Sequence, residues 1–315
     1  SSSSSSSSST AVTKTPLTRY ATKPPLPFRP PQISAATQFL TPQTPSPAAF
    51  KQLHQRSYRG LAFDQPGALP ARLHDDVTGA LEAMFRGGLF HRDVVQAGRS
   101  VSATFVDRTL LGEPGMTYFY QRLRIFAHPW DDMHTKAGSP FRTIRALNDA
   151  LKVRTRALAG ADPTSVKGKT DFNITLINRM DSLRDANSGD WPLREETQFG
   201  LGDASVSWHA DSSLQDFSSI AIYHQTGKSL GGGDDASWSV AARVVGDNTT
   251  PAIKVHLRDR QTYYMLNDFN HHHHHAVIAG NVWRYSSTHR VGIVGKDTLE
   301  FVVESNRAGK QAYDR

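Results

Sequence analysis

A histidine and an aspartate two positions apart can share one metal ion when they lie on a β-strand, because residues i and i+2 project from the same face. With a distant second histidine they form a 2-His-1-carboxylate facial triad, which leaves three positions of a non-haem iron open. The sequence holds three such pairs: His74/Asp76, His91/Asp93 and His209/Asp211. With 14 His and 23 Asp among 315 residues, chance alone supplies about one, so context must decide. His74 and Asp76 fall in a helical stretch, where i and i+2 diverge. His91 and Asp93 follow a Gly87-Gly88 stop with no clear alternating run behind them. His209 and Asp211 close the run Val206-Ser207-Trp208 in the β-rich half and are the candidate pair.

The third ligand is expected downstream, where His271 to His275 offer five choices. Alternation lets 271, 273 and 275 share a face, so periodicity does not choose among them, and most of the block reads as a solvated low-complexity loop. His275 leads directly into Ala276-Val277-Ile278-Ala279, a run suited to a buried strand that would hold it rigidly. The next strand carries a second chemistry. Along Arg284-Tyr285-Ser286-Ser287-Thr288-His289-Arg290, period two puts Arg284, Ser286, Thr288 and Arg290 on one face. Two guanidiniums and two hydroxyls on an inner wall suit a carboxylate ligand, since a guanidinium binds carboxylate bidentately. An exposed polar edge is the alternative. Metal ligands followed by a carboxylate-binding strand imply an Fe(II) centre that works with 2-oxoglutarate.

These residues need elements to position them. From Arg72 to Phe85 the apolar residues Leu73, Val77, Leu81, Met84 and Phe85 follow helical spacing, and Gly87-Gly88 stop it. Residues 101–111 and 116–126 read as a strand pair turned at Gly112-Glu113-Pro114-Gly115. Ser139-Pro140 opens a helix with Phe141, Ile144, Leu147 and Leu151 on one face, ending before Gly160. From about residue 172 the character becomes all-β, with runs at 173–179, 204–208, 218–225, 237–245, 252–257, 262–266, 276–279, 283–294 and 298–304. Many short strands without helical pattern between them predict a sandwich, barrel or jelly roll.

Composition removes whole classes of function. Absence of cysteine excludes disulfide scaffolds, thiolate zinc sites and cysteine nucleophiles. No run approaches the roughly 18 apolar residues of a membrane span. Seven of the 36 basic residues precede the first acidic residue, Asp64, so 29 basic residues face 29 acidic ones from there on. The net +7 therefore sits in the N-terminal stretch, and a basic nucleic-acid-binding domain does not follow from the high isoelectric point. Residues 1–50 open with nine serines, hold nine of the 17 prolines and read as a disordered tail, either a plain linker or an organelle transit peptide. The sequence does not begin with Met.

The stretches Val206-Ser-Trp-His-Ala-Asp211, Tyr263-Tyr-Met-Leu-Asn-Asp268, Ala279-Gly280 and Tyr285-Ser-Ser-Thr-His-Arg-Val291 together resemble the AlkB family of iron and 2-oxoglutarate dioxygenases, and within it the FTO-like nucleic-acid demethylases. Asn173-Ile-Thr-Leu-Ile-Asn178 and Leu111-Gly-Glu-Pro-Gly-Met-Thr-Tyr118 carry the likeness upstream, over about Tyr58 to Val303. The resemblance implies an α+β fold: a double-stranded β-helix (jelly-roll) core over 173–305, preceded by flanking helices and a nucleotide-recognition hairpin in 51–172, with 306–315 a tail. It assigns Fe(II) to His209, Asp211 and His275. It gives 2-oxoglutarate to Arg284, with Asn178, Tyr263, Ser286, Thr288 and Arg290 around it. It places Arg108, Tyr118 and Tyr120 at a methylated base, with Ser207 and Ser212 on the substrate side. Aromatic faces stack on an extruded base and an arginine bonds its edge, so these residue types suit that place.

The implied reaction is oxidative demethylation of an N-methylated base (N6-methyladenine, 3-methylthymine or 3-methyluracil) in single-stranded RNA or DNA, consuming O2, in the nucleus. Three positions depart from the branch: Ala210 replaces a second His, Ser212 a base-contacting Glu and Gln121 an apolar neighbour of the base. The FTO-like C-terminal helical domain has no counterpart before Arg315. Rival readings are a 2-oxoglutarate-dependent hydroxylase of a protein or small molecule, and a jelly-roll binding module whose His block collects metal.

Overall fold

Two runs, Ile220–Thr226 and Arg284–Arg290, are buried at every position. A strand buried on both faces needs a covered sheet, and the computed structural model supplies one. It describes residues 39–313 except 98–99, 121–122, 162–167, 184, 186–192, 197–198, 228–237, 248 and 297; of 93–97, 100–105, 120, 123, 194–196 and 310–313 it describes the backbone alone. The elements begin with β1 (Phe39–Leu40), α1 (Pro47–Ser57), β2 (Leu61–Phe63), α2 (Ala71–Arg86), β3 (His91–Ala97) and β4 (Ser100–Gly112). Then come β5 (Thr117–Tyr120), β6 (Leu123–Phe126), β7 (His128–Pro129), α3 (Pro140–Ala161), β8 (Ile174–Met180), β9 (Arg194–Glu196) and β10 (Gly202–His209). The last are β11 (Ile220–Thr226), β12 (Ser239–Val244), β13 (Ala252–His256), β14 (Thr262–Met265), α4 (Phe269–His272), β15 (His273–Ile278), β16 (Arg284–Arg290) and α5 (Leu299–Tyr313).

The larger sheet runs β2-β14-β11-β16-β8-β4-β3, with β7 beside β4; the smaller runs β1-β13-β12-β15-β10-β9. Pairing is antiparallel except β1 with β13 and β4 with β7. From β8 onward the chain alternates between the sheets: β8 in the larger, β10 in the smaller, β11 larger, β12 and β13 smaller, β14 larger, β15 smaller, β16 larger. This wiring lays β10 against β15 and β16 between β8 and β11, so the four segments that carry the candidate residues become neighbours.

Two apolar layers hold the fold. Between the sheets, Leu110, Leu176, Ile222 and Tyr263 meet Val240, Ala242 and Ile253, joined by Leu53 of α1 and by Tyr58 just beyond its end. On the outer face of the larger sheet, Val77, Leu81 and Met84 of α2 and Ile144, Leu147 and Leu151 of α3 cover Leu111, Ile177, Tyr223 and Tyr285. Each such side chain removed from water contributes about 1.5–3 kcal/mol before entropy is charged against it. The molecule is a mixed α+β fold, with an eight-stranded mixed sheet flanked by helices.

Several expectations need correction, beginning with α3, which runs to Ala161, so that Gly160 lies inside it and not beyond its end. The run 298–304 is not a strand: from Leu299 onward it belongs to α5, and that helix continues through 306–313. Phe301 N–H donates to Thr298 Oγ1 (3.2 Å), which caps the helix, and the helix-favouring residues beyond Val303 outweigh the β-like Phe-Val-Val. Residues 101–111 and 116–126 do not pair with each other. Both edges of β4 are taken, by β3 and β8, so 116–126 folds on itself as β5 and β6. Gly112 permits the departure, since a Cβ there would lie 2.8 Å from Asn173 O. The pair His91/Asp93 does stand on a strand, β3. Finally, the stretch expected to be disordered to residue 50 is ordered from Phe39, because β1 joins β13 and Ser46 caps α1; residues 1–38 lie outside the described residues.

Candidate active site

Strand β10 ends at His209, and the chain leaves the sheet at Ala210 and Asp211. Its neighbour β15 sets His275 directly opposite His209 in the antiparallel register. The two rings are 4.1 Å apart between centroids, and His209 Nε2 lies 3.7 Å from Asp211 Oδ1. One ligand atom from each of His209, Asp211 and His275 falls within 4.8 Å of the other two. His209 Nδ1–H donates to Ser207 O at 2.8 Å, which leaves the Nε2 lone pair for a metal.

Asp211 is fixed twice. Arg290 Nη2 donates to its Oδ1 (2.9 Å), and Asn270 brackets its peptide, accepting from Asp211 N (2.9 Å) and donating to Asp211 O (2.8 Å). Burial alone would raise the Asp211 pKa, but the Arg290 guanidinium, with His209 and His275, holds it well below the usual carboxylate range. Burial and the neighbouring His209 lower His275 to about 3, against the pull of Asp211. The carboxylate is thus ionised and the buried imidazole neutral, the forms that bind a cation. His275 Nδ1 is buried with no hydrogen-bond partner among the described residues. Two imidazole nitrogens and a carboxylate, one buried nitrogen orphaned, fit a divalent iron.

The cluster opens into a cavity of about 470 Å³ between the sheets. Asn178, Tyr263, Ser286, Thr288 and Arg290 line it, and the register sets Asn178 opposite Ser286. Asn178 Oδ1 is also buried without a hydrogen-bond partner among the described residues. Arg284 lies behind this wall with no exposed surface. Its Nε–H donates to His224 Nδ1 (2.8 Å), Nη2 reaches Ser286 Oγ (3.4 Å), Nη1 is 3.7 Å from Met180 Sδ, and its face lies 5.5 Å from the Trp238 ring. Burial lowers its pKa, and the adjoining Tyr263 hydroxyl opposes this. Among the described residues no carboxylate pairs with Arg284. A dry cation lacking an anion is costly, so the place fits the far carboxylate of a keto-diacid.

In the same cavity, Arg108 of β4 is buried in register with Asn178. Tyr118 of β5 is buried too; its hydroxyl donates to Ser212 O (3.0 Å), and the Arg290 guanidinium lies 5.3 Å from its ring. Arg108 and Tyr118 thus meet in one cavity although the strand pair expected to join them does not form. Ser207 and Ser212 are exposed at its rim, with Ala210 between the ligands. The Tyr120 side chain and Gln121 lie outside the described residues. Of the histidine block, His271 and His272 are exposed on α4, His273 stacks on Phe269 at 4.0 Å, and His274 Nδ1 accepts from Arg243. His275 alone of the five joins the metal cluster.

Sequence reasoning missed three residues here: Asn270, His224 and Trp238. A histidine inside the apolar run Ile220-Ala-Ile-Tyr-His was a legible signal; the other two left none.

Known proteins resemble this chain over most of its length. The FTO catalytic domain family matches residues 48–293. The alpha-ketoglutarate-dependent dioxygenase FTO of Xenopus laevis is 29% identical over 296 residues, which is 80% of this chain and 58% of that protein. The chain therefore spans less than two thirds of that relative's length. Among solved structures, a prolyl hydroxylase from Trichoplax adhaerens in complex with a hypoxia-inducible-factor peptide shares 12% identity at TM-score 0.46, covering 79% of this chain and 94% of its own. With three residues grouped as metal ligands and a family match over most of its length, the chain belongs to the FTO catalytic-domain family of the AlkB-like iron and 2-oxoglutarate dioxygenases.

Proposed function

We propose that this chain is the catalytic core of a dioxygenase that uses Fe(II), 2-oxoglutarate and O2 to remove N-methyl groups from bases of single-stranded RNA or DNA. The observation that carries the reading is a three-ligand cluster opening into a cavity whose wall of Asn178, Tyr263 and Ser286 is backed by the buried guanidinium of Arg284, which has no acidic partner among the described residues. The alternation of β8 to β16 between two sheets supports a double-stranded β-helix as its frame.

When bound, iron and 2-oxoglutarate supply the oxidation of the methyl carbon by O2, with succinate, CO2, formaldehyde and the free base as products. The protein's part is placement. His209, Asp211 and His275 would hold the iron, each fixed beforehand by β10, by Arg290 with Asn270, and by β15. Arg284, with Tyr263 and Ser286, would hold the cosubstrate's far carboxylate. Arg108 and Tyr118 form the wall that a base would enter, and burial of that wall excludes water from the reacting methyl. The tyrosine face offers stacking and the guanidinium a hydrogen bond to the base edge. A charge-balanced folded part gives phosphates little attraction, which favours a target already single-stranded over one that must be extruded from a duplex.

Ala210 and Ser212 favour a second reading, hydroxylation of a protein or small molecule, because their short side chains offer little to read a base edge. Mass spectrometry of single-stranded oligonucleotides bearing N6-methyladenine, 3-methylthymine or 3-methyluracil separates the two. Loss of 14 mass units (one methylene) with formaldehyde release is expected; unchanged oligonucleotides alongside succinate formation on another substrate would support the second reading.

A further inference from the structure

The guanidinium of Arg284 is held at Nε by His224, and the Tyr263 hydroxyl adjoins it. Nε donates at 2.8 Å to His224 Nδ1, whereas the Nη groups meet a thioether at 3.7 Å and a hydroxyl at 3.4 Å. His224 and Arg284 are both completely buried, on adjacent strands. His224 stands opposite Ser286 in the register, so it lies diagonal to Arg284 on the same face. Because Nδ1 accepts a hydrogen bond, the ring proton sits on Nε2, which is buried without a partner among the described residues. A neutral imidazole beside a buried cation adds no second charge. It does remove rotation about the last bonds of the arginine, as does Trp238, whose indole N–H is pinned to Val282 O at 2.7 Å.

We propose that His224 is a positioning residue for 2-oxoglutarate: it grips Arg284 through Nε so that the Nη pair stays available to the far carboxylate of the cosubstrate. This deepens the functional reading above and rests on it. Asparagine at 224 can present an amide oxygen near the place of Nδ1, and leucine fills a similar volume with no acceptor. The position therefore divides shape from hydrogen bonding.

The test is anaerobic titration of the Fe(II)-loaded chain, followed by the visible charge-transfer band of an iron-bound 2-oxo acid, with 2-oxoglutarate and with 2-oxobutyrate, which has no far carboxylate. His224→Leu is expected to weaken 2-oxoglutarate by about tenfold or more, the cost of losing one hydrogen bond on a buried charge. It is expected to leave the weak binding of 2-oxobutyrate unchanged, and His224→Asn to bind 2-oxoglutarate within about threefold of wild type, well short of that loss. If leucine does not fold, His224→Gln, whose oxygen is displaced by one methylene, takes its place with the same expected loss. Equal weakening of both acids shows a merely structural role and overturns the proposal, as does unchanged 2-oxoglutarate binding. A wild-type chain that binds neither acid overturns the functional reading, and the proposal with it.

Discussion

Asn270 illustrates what one side chain contributes to a metal site without touching the metal. Its amide bonds both peptide groups of Asp211, and it sits on α4, five residues before His275, so it ties one ligand segment to the other. Removing such an outer partner typically lowers metal affinity about 10–100-fold. Asn270→Ala is expected to fall in that range by anaerobic Fe(II) titration while keeping its circular dichroism; an unchanged affinity would deny the clamp a role. The ligand triad itself was legible, because strand periodicity and the buried run after His275 restrict the choice. Asn270 was not, since a side chain that bonds a distant backbone has no partner type or spacing to betray it. Arg290 was legible as an inward arginine, but its ion pair with Asp211 depends on the approach of β16 to the loop after β10, which only the fold supplies.

At the scale of elements, the outer face of β16 meets α3 through a buried histidine. His289 Nδ1 lies 2.8 Å from Asn148 Oδ1 and 2.9 Å from Thr175 Oγ1, and Ser287 Oγ is 3.0 Å from its Nε2. Burial, with a smaller push from Lys152, lowers it from 6.5 to about 3. The folded state therefore binds fewer protons than the unfolded chain between those values. Its stabilising contribution is complete above about pH 6.5 and is lost as pH falls, by about 1.4 kcal/mol per unit. Urea unfolding from pH 7 to 4.5 is expected to show a shallower loss of stability in His289→Asn than in wild type. Equal slopes would mean that this ring takes up its proton in the folded state. The helices α2 and α3 were readable from apolar spacing. The 116–126 hairpin and α5 were misread, because sequence pattern does not tell which sheet edges are already occupied or whether a short Phe-Val-Val run has a ladder to join.

The whole molecule explains why residues from four separated segments converge. Helices on one face and a second sheet on the other bury the larger sheet, and the alternating path of β8 to β16 gathers the ligand-bearing ends at one cavity. The change from helical to all-β character near residue 172 was visible in sequence; which strands became neighbours was not, because pairing over such separations leaves no local pattern. The central claim is that His209, Asp211 and His275, and not the rest of the histidine block, hold a single iron. Anaerobic Fe(II) binding, counted per chain and read with 2-oxoglutarate by the charge-transfer band, tests it most directly. One iron and a band are expected in wild type and in a His271→Ala/His272→Ala/His274→Ala variant, and neither in His209→Ala or Asp211→Ala. Iron retained by the two single variants and lost from the triple one would contradict the claim.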